Sequence, residues 1–360
     1  MFPPQYYLKI YLFILVIISV FSFRKYQLMT EEYHQVLINE NQIPSIALTV
    51  IMILFIGTRP ISGKYFLDMG GTASEWQYWD QGDVYHYQWH YTNIVYDNIR
   101  SFMSTYDMPV DFFFFLIATI YFSCIYIACR KLFPQDTLFA LLVYLVAFST
   151  FSYATNGIKA GVAAACFLIV IAYHENLKVM IPALLFSWGF HHSMIMVVFC
   201  FLCVYFLRKT KYYFYFWIFS FFVALAHITF FQRFFSGFSN DIGASYLIYQ
   251  THGKGFRIDF ILYSVVPIII GYYIVFIKKY QYKKYEILLN LYLLTNSIWM
   301  LCMYAEFTNR IAYLSWFLHP WVMIYPFLNE KVNNIQYHIV NYIALGHLCF
   351  TLFLMLIYWG

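Results

Sequence analysis

Charge is what this sequence has least of. Asp, Glu, Lys and Arg make up 11% of its 360 residues, less than half the share in a soluble globular domain. So little charge cannot cover a globule with polar surface, and the mean hydropathy of +0.63 agrees. No internal repeat and no low-complexity linker divides the chain, so 1–360 is expected to be a single polytopic membrane domain despite its length. Polar stretches lack cysteine altogether: all seven cysteines lie in apolar runs. Cys200 and Cys203 have redox or metal spacing, but "VVFCFLCVYF" offers them no polar partner, so they are expected to pack inside a helix. The N-terminal run beginning "MFPPQYY" lacks a small-residue cleavage site and is expected to stay as a span.

What the chain has in abundance is long apolar runs. About 20 such residues cross the roughly 30 Å of a bilayer's hydrocarbon. The runs are 6–23, 112–129, 137–155, 212–231, 259–277, 287–305 and 338–359, with shorter ones at 43–57, 158–173 and 311–328. The stretch 179–207 is too long for one span, and "HH" at 191–192 divides it in two. The expected fold is therefore all-α, with about twelve transmembrane helices and ten as the lower alternative. Lys/Arg clusters at 24–27, 129–132, 175–178, 208–211, 278–284 and 329–331 fall in alternate connections and are expected to face the cytoplasm. The net charge of +5 comes from these clusters and implies contact with anionic lipid, not nucleic acid. The intervening connections then face outward, including a long loop, 58–108, between the second and third spans.

Several polar residues stand out against this background, because ionisable groups near membrane depth are expensive and mark function. Lys159, in "NGIKAGVAAA", follows a Gly turn and opens an apolar run rich in small residues. With the amides of a helix N-terminus it could bind an anion; alternatively it snorkels to headgroups. His191 and His192, in "FSWGFHHSMI", would point to different faces of a helix and make poor joint metal ligands, with Ser193 placed to cap the following helix. Glu306 and Arg310 are four apart in "YAEFTNRIAYL". On a helix they would share a face and pair; alternatively Arg310 forks onto a phosphate. Arg59, in "FIGTRPISG", either joins it or simply ends a span. The segment "YWDQGDVYHYQWHY" (78–91) has no apolar periodicity. Its Asp80 and Asp83 lie among Tyr78, Trp79, Tyr85, Tyr87 and Trp89, with Trp76 just before. It reads either as a sugar-facing surface, rings for C–H faces and carboxylates for hydroxyls, or as an interfacial aromatic belt.

In order, "FIGTRP", "GDVYHY", "NGIKAGVA", "FSWGFHHSMI" and "TNRIAYL" resemble the EpsG-like family of exopolysaccharide polymerases, relatives of the Wzy-type O-antigen and capsule polymerases. The similarity runs from about residue 45 to 330. The family pattern has Arg and Gln where this chain has Lys159 and Ala160. The resemblance implies a multi-pass protein of a bacterial inner membrane with its site on the extracytoplasmic side. The expected reaction moves a growing glycan from polyprenyl diphosphate to the next lipid-linked repeat unit. Catalytic residues are then Asp83, His192 and Glu306, and substrate-binding residues are Arg59, Asp80, Tyr85, Tyr87, Asn156, Lys159 and Arg310. No nucleotide binds, so no Gly-rich phosphate loop is needed, and "DQGD" is too widely spaced for the metal motif of nucleotide-sugar enzymes. No metal and no cofactor is expected. Expected partners are the polyprenyl-diphosphate-linked oligosaccharide, the bilayer and a chain-length regulator. A lipid-linked oligosaccharide flippase and a glycan acyltransferase using His192 as base are the other readings.

Overall fold

The computed structural model describes residues 2–27, 42–80, 82–236, 255–280, 282–329 and 336–358. Helix accounts for 79% of the structure, and no strand occurs among the described residues. The helices used below are α1 (Tyr7–Gln27), α2 (Gln42–Gly57), α3 (Leu67–Ser74), α4 (Ile94–Thr105), α5 (Val110–Leu132), α6 (Thr137–Val146), α7 (Phe148–Thr155), α8 (Ile158–Ala172), α9 (Leu177–Phe190) and α10 (Met194–Phe206). They continue as α11 (Thr210–Leu225), α12 (Phe230–Ser236), α13 (Ile258–Tyr272), α14 (Lys283–Leu301), α15 (Thr308–Trp316), α16 (His319–Asn329) and α17 (Gln336–Phe353).

The apolar runs read from the sequence are mainly helical, with breaks at Ala147, 226–229 and 317–318, and the 179–207 run breaks at His191–Ser193 as expected. Among the described residues, five helical stretches are long and apolar enough to span: Pro4–Phe23, Val110–Leu132, Ile258–Ile277, Thr308–Asn329 and Gln336–Ile357. The pair α6–α7, bent by 75°, makes a sixth if counted as one span. The apolar helices α2, α8, α9 and α10 are shorter than a full crossing. Length and composition thus support five or six spans among the described residues of a multi-pass membrane protein, and the expected count of about twelve is not reached on that measure.

The bend between α6 and α7 shows how such a break survives in an apolar interior. No water reaches freed carbonyls there, so other groups must satisfy them. Thr150 Oγ1 donates to the carbonyl of Tyr144 at 2.7 Å, and Tyr11 Oη donates to that of Leu145 at 2.6 Å.

The chain forms two compact units, Met1–Ile195 with Phe327–Gly360, and Met196–Pro326. In the first, α8 packs on both α5 and α9, α2 lies on α5, and α4 docks on α9. Ser187 Oγ on α9 donates to the Ala163 carbonyl on α8 at 2.7 Å, locking that pair. In the second unit, α14 packs on α11, α13 and α15. Buried Asn296 joins them: it accepts from Trp217 Nε1 at 2.9 Å and donates to Ser264 and Ser315 at 3.1 and 3.0 Å.

The 58–108 stretch is not an open loop. It contains α3, a short 3-10 turn at Trp76–Trp79 and α4, with α4 carrying buried side chains along one face. Of the other expected outward connections, residues 237–254 of 232–258 lie outside the described residues. So do the side chains of the 24–27 cluster and parts of the clusters at 278–284 and 329–331.

Candidate functional site

The organising element is α4, which carries none of the residues that the sequence reading singles out. Asn93, Asp97, Arg100, Ser101 and Ser104 recur at three- and four-residue spacing, and all are buried. A buried helical stripe is normally apolar. A polar one must be satisfied by partners, and that stripe is the signal in the sequence that points to this helix.

The C-terminal half of α4 holds the Asp- and aromatic-rich segment. Ser104 and Ser101 donate to the carbonyls of Trp76 and Trp79 at 2.7 and 3.0 Å. Arg100 pairs with Glu75 at 3.1 Å and lies 3.6 Å over the Trp79 ring. Asn98 Oδ1 accepts from Tyr85 Oη at 2.6 Å and from the Gln88 amide at 2.8 Å, while its Nδ2 donates to the Gln88 carbonyl at 2.8 Å. So anchored, the segment turns Tyr78 and Trp89 outward, 87% and 80% exposed, with Tyr87 edge-on to Trp89 at 4.8 Å. Asp80 and Asp83 are also exposed. Asp80 Oδ1 accepts from the amide of Gly82 at 2.8 Å, closing a turn that needs glycine at φ 81°. Asp83 makes no hydrogen bond among the described residues, so its carboxylate is open to a ligand.

The N-terminal turn of α4 builds an ionic cluster. Lys159 Nζ, on the first turn of α8, lies 3.2 Å from Asp97 Oδ1 and 4.8 Å over the Tyr96 ring. Asp97 Oδ2 accepts from the backbone and side-chain nitrogens of Asn93, both at 3.3 Å. Asn93 Oδ1 faces the backbone nitrogen of His192 at 3.2 Å and its ring Nδ1 at 3.3 Å. Close helix approach makes this possible. A Cβ on Gly189 of α9 would meet Val95 Cγ2 of α4 at 2.5 Å, so only glycine lets the two helices come this near.

His191 and His192 occupy the turn between α9 and α10, not a helix. Their rings therefore stack at 4.8 Å with a 20° tilt instead of pointing to different faces. Ser193 Oγ bonds to His191 Nδ1 at 2.6 Å and does not cap α10. Asn156 Oδ1 accepts from the Leu67 amide at 2.8 Å and so caps the start of α3. Arg59 is 2% exposed: its Nη1 donates to the Ile56 carbonyl at 2.7 Å, and its guanidinium lies 5.4 Å from the Phe66 ring centre and 5.8 Å from that of Phe114. Burial pushes its pKa down to about 10, which leaves it charged at neutral pH.

Glu306 and Arg310 belong to the second unit. Phe307, left-handed at φ 53°, precedes α15, so Glu306 is off the helix and forms no ion pair with Arg310 among the described residues. Arg310 is exposed, with its guanidinium 4.7 Å over the Phe307 ring.

The family model of the EpsG family matches residues 64–360. The chain belongs to the EpsG family. No curated protein and no solved structure matches it. The family match takes in α4, the 75–91 segment and both histidines, while Arg59 precedes it.

In this EpsG-family chain the cluster combines a partly exposed ammonium, a buried carboxylate, an amide and an imidazole within one hydrogen-bonded series. Burial and the Lys159 charge hold the His192 ring below the usual imidazole range, against an opposing pull from Asp97. His192 is thus neutral at pH 7 and able to accept a proton.

Proposed function

We propose that this chain is a polymerase of lipid-linked glycan repeat units for exopolysaccharide, capsule or O-antigen, acting on the extracytoplasmic side of a bacterial inner membrane. The observation that carries the reading is that one helix, α4, anchors two chemically different groups of residues. Its C-terminal half presents exposed rings and carboxylates suited to a glycan, and its N-terminal turn holds a cation and a neutral imidazole. Membership of the EpsG family within a multi-pass membrane protein supports the same reading.

In the proposed step, a hydroxyl oxygen of the acceptor repeat attacks the anomeric carbon of the donor glycan. A new C–O bond forms, the bond from that carbon to the diphosphate breaks, and its electron pair leaves with the lipid diphosphate. The hydroxyl proton passes to a base, with His192 and Asp83 as candidates. The departing diphosphate carries the developing charge, and Lys159 is the cation proposed to hold it. Arg310 is suited to fork onto a phosphate because its guanidinium is exposed. Tyr85, Tyr87 and Asp80 orient the acceptor glycan, and Asn156 supports the segment leading into α3. Arg59, enclosed by Phe66 and Phe114, contributes field and not direct contact.

Deleting the gene and sizing the surface glycan tests this. A single repeat unit in place of a ladder is expected. Complete loss of surface glycan would point to transport of the lipid-linked unit across the membrane, and an unchanged ladder would remove the glycan role altogether.

A further inference from the structure

We infer that Asn93 and Asp97 position His192, keeping the proton of its neutral ring on Nδ1 and leaving Nε2 as the lone pair that accepts the hydroxyl proton. The inference rests on the reading of His192 as base and names the residues that make it one.

The assignment follows from which groups can only donate and which can only accept. The backbone nitrogen of His192 only donates, so the atom of Asn93 facing it at 3.2 Å is the amide oxygen. The same oxygen faces the ring Nδ1 at 3.3 Å, and two acceptors cannot share a hydrogen bond, so Nδ1 carries the proton. The Asn93 amide nitrogen is thereby turned toward Asp97 Oδ2 at 3.3 Å, where an ionised carboxylate accepts it. Asp97 is held in turn by the Asn93 backbone amide at 3.3 Å and by Lys159 at 3.2 Å. Reversing the Asn93 amide would set donor against donor at His192 and acceptor against acceptor at Asp97. The series therefore has one polarity.

His192 Nε2 is left without a hydrogen-bond partner among the described residues, on a ring that is only partly buried. The neighbouring ring shows the opposite arrangement. His191 Nδ1 faces the backbone amide of Ser193 at 3.2 Å and so accepts, which puts its proton on Nε2. Two stacked histidines thus hold opposite tautomers, and His192 is the one that presents a basic Nε2.

The charged and titratable groups around the His192 ring are Asp97 and the adjacent Tyr96 on α4, Lys159 on α8, and His191 beside it in the turn. Their signs give the test. Asp97 favours the imidazolium and Lys159 disfavours it. Removing the carboxylate should let the ring stay neutral to lower pH, and removing the ammonium should do the reverse.

The assay is polymerisation by enzyme reconstituted in liposomes, using lipid-linked repeat units extracted from a strain lacking the gene, between about pH 5 and 9. Wild-type rate should fall on an acid limb below about pH 6.5, the unperturbed imidazole value. Asp97→Asn should move that limb to lower pH and Lys159→Gln should move it to higher pH, whatever each does to the plateau. Asn93→Ala should lower the plateau at least tenfold at normal protein level in the membrane. A purely structural role would reduce the rate at every pH and leave the limb in place. If Asp97→Asn does not accumulate in the membrane, Lys159→Gln reports the same field independently. A dead His192→Gln beside a fully active Asn93→Ala, or a limb that moves in neither charge variant, overturns the positioning role and leaves the base reading standing. A fully active His192→Gln removes the base reading and the inference with it.

Discussion

Replacing Asn98 by Ala should release the glycan-facing segment without unfolding the protein. The side chain is 4% exposed and makes three contacts to that segment: one with the Tyr85 hydroxyl and two with the backbone of Gln88. A fourth goes to the Ile94 carbonyl of its own helix at 2.7 Å. At a net ~0.5–1.5 kcal/mol per hydrogen bond, losing three costs about 1.5–4.5 kcal/mol of local stability. One decade corresponds to about 1.4 kcal/mol, so opening of 85–88 should become roughly tenfold to a thousandfold more frequent. Ser101, Ser104 and Arg100 still hold the chain at Trp76, Trp79 and Glu75, so the loosening should stay local. Hydrogen–deuterium exchange on peptides covering 82–90 reads this directly, with a peptide from α8 as internal control. Asn98→Asp keeps the oxygen that accepts from Tyr85 and Gln88 and loses the donor, so it should lie between wild type and Asn98→Ala. Wild-type exchange in 82–90 of Asn98→Ala would show that α4 does not anchor the segment.

Gly189→Leu should separate α9 from α4, because even a Cβ there meets Val95 Cγ2 at 2.5 Å. Overpacking of this kind costs about 1–3 kcal/mol, read as a lowered melting temperature in detergent, and a wild-type melt would show that the helices can slide apart freely. Arg310→Lys should lose most polymerising activity although it keeps the charge, whereas Lys159→Arg should be tolerated; full activity in Arg310→Lys would reduce Arg310 to a surface residue. Asp83→Asn, at an exposed site with no partner among the described residues, should leave protein level unchanged and shorten the polymer, and wild-type polymer length would remove Asp83 from the chemistry. In a Cys349→Ser background, Ser74→Cys should react with a membrane-impermeant thiol reagent in spheroplasts and Lys209→Cys should not; the opposite pattern would invert the proposed orientation.

Features that depend on short-range pattern can be read from the chain alone. Scarce charge and runs of about 20 apolar residues require a membrane and make helices the expected spanning form. The pair His191–His192 marks a break because consecutive polar residues interrupt the run, and α9 ends there. The order of weak motifs was enough to resemble the EpsG family, and the family match bears that out. The segment 78–91 was legible as distinct from the spans because its rings and carboxylates follow no apolar periodicity.

Which polar residues meet is a matter of helix packing. His192 lies 99 positions from Asn93, and Lys159 lies 62 from Asp97, and no local pattern carries information across such separations. Their meeting depends on α4 docking against α9, which one glycine at 189 permits. Composition showed a buried Asp and Asn only as ordinary polar residues in a stretch expected to be a loop. Glu306 and Arg310 illustrate the converse: four-residue spacing implies a shared face only on a continuous helix, and the left-handed Phe307 between them breaks that condition.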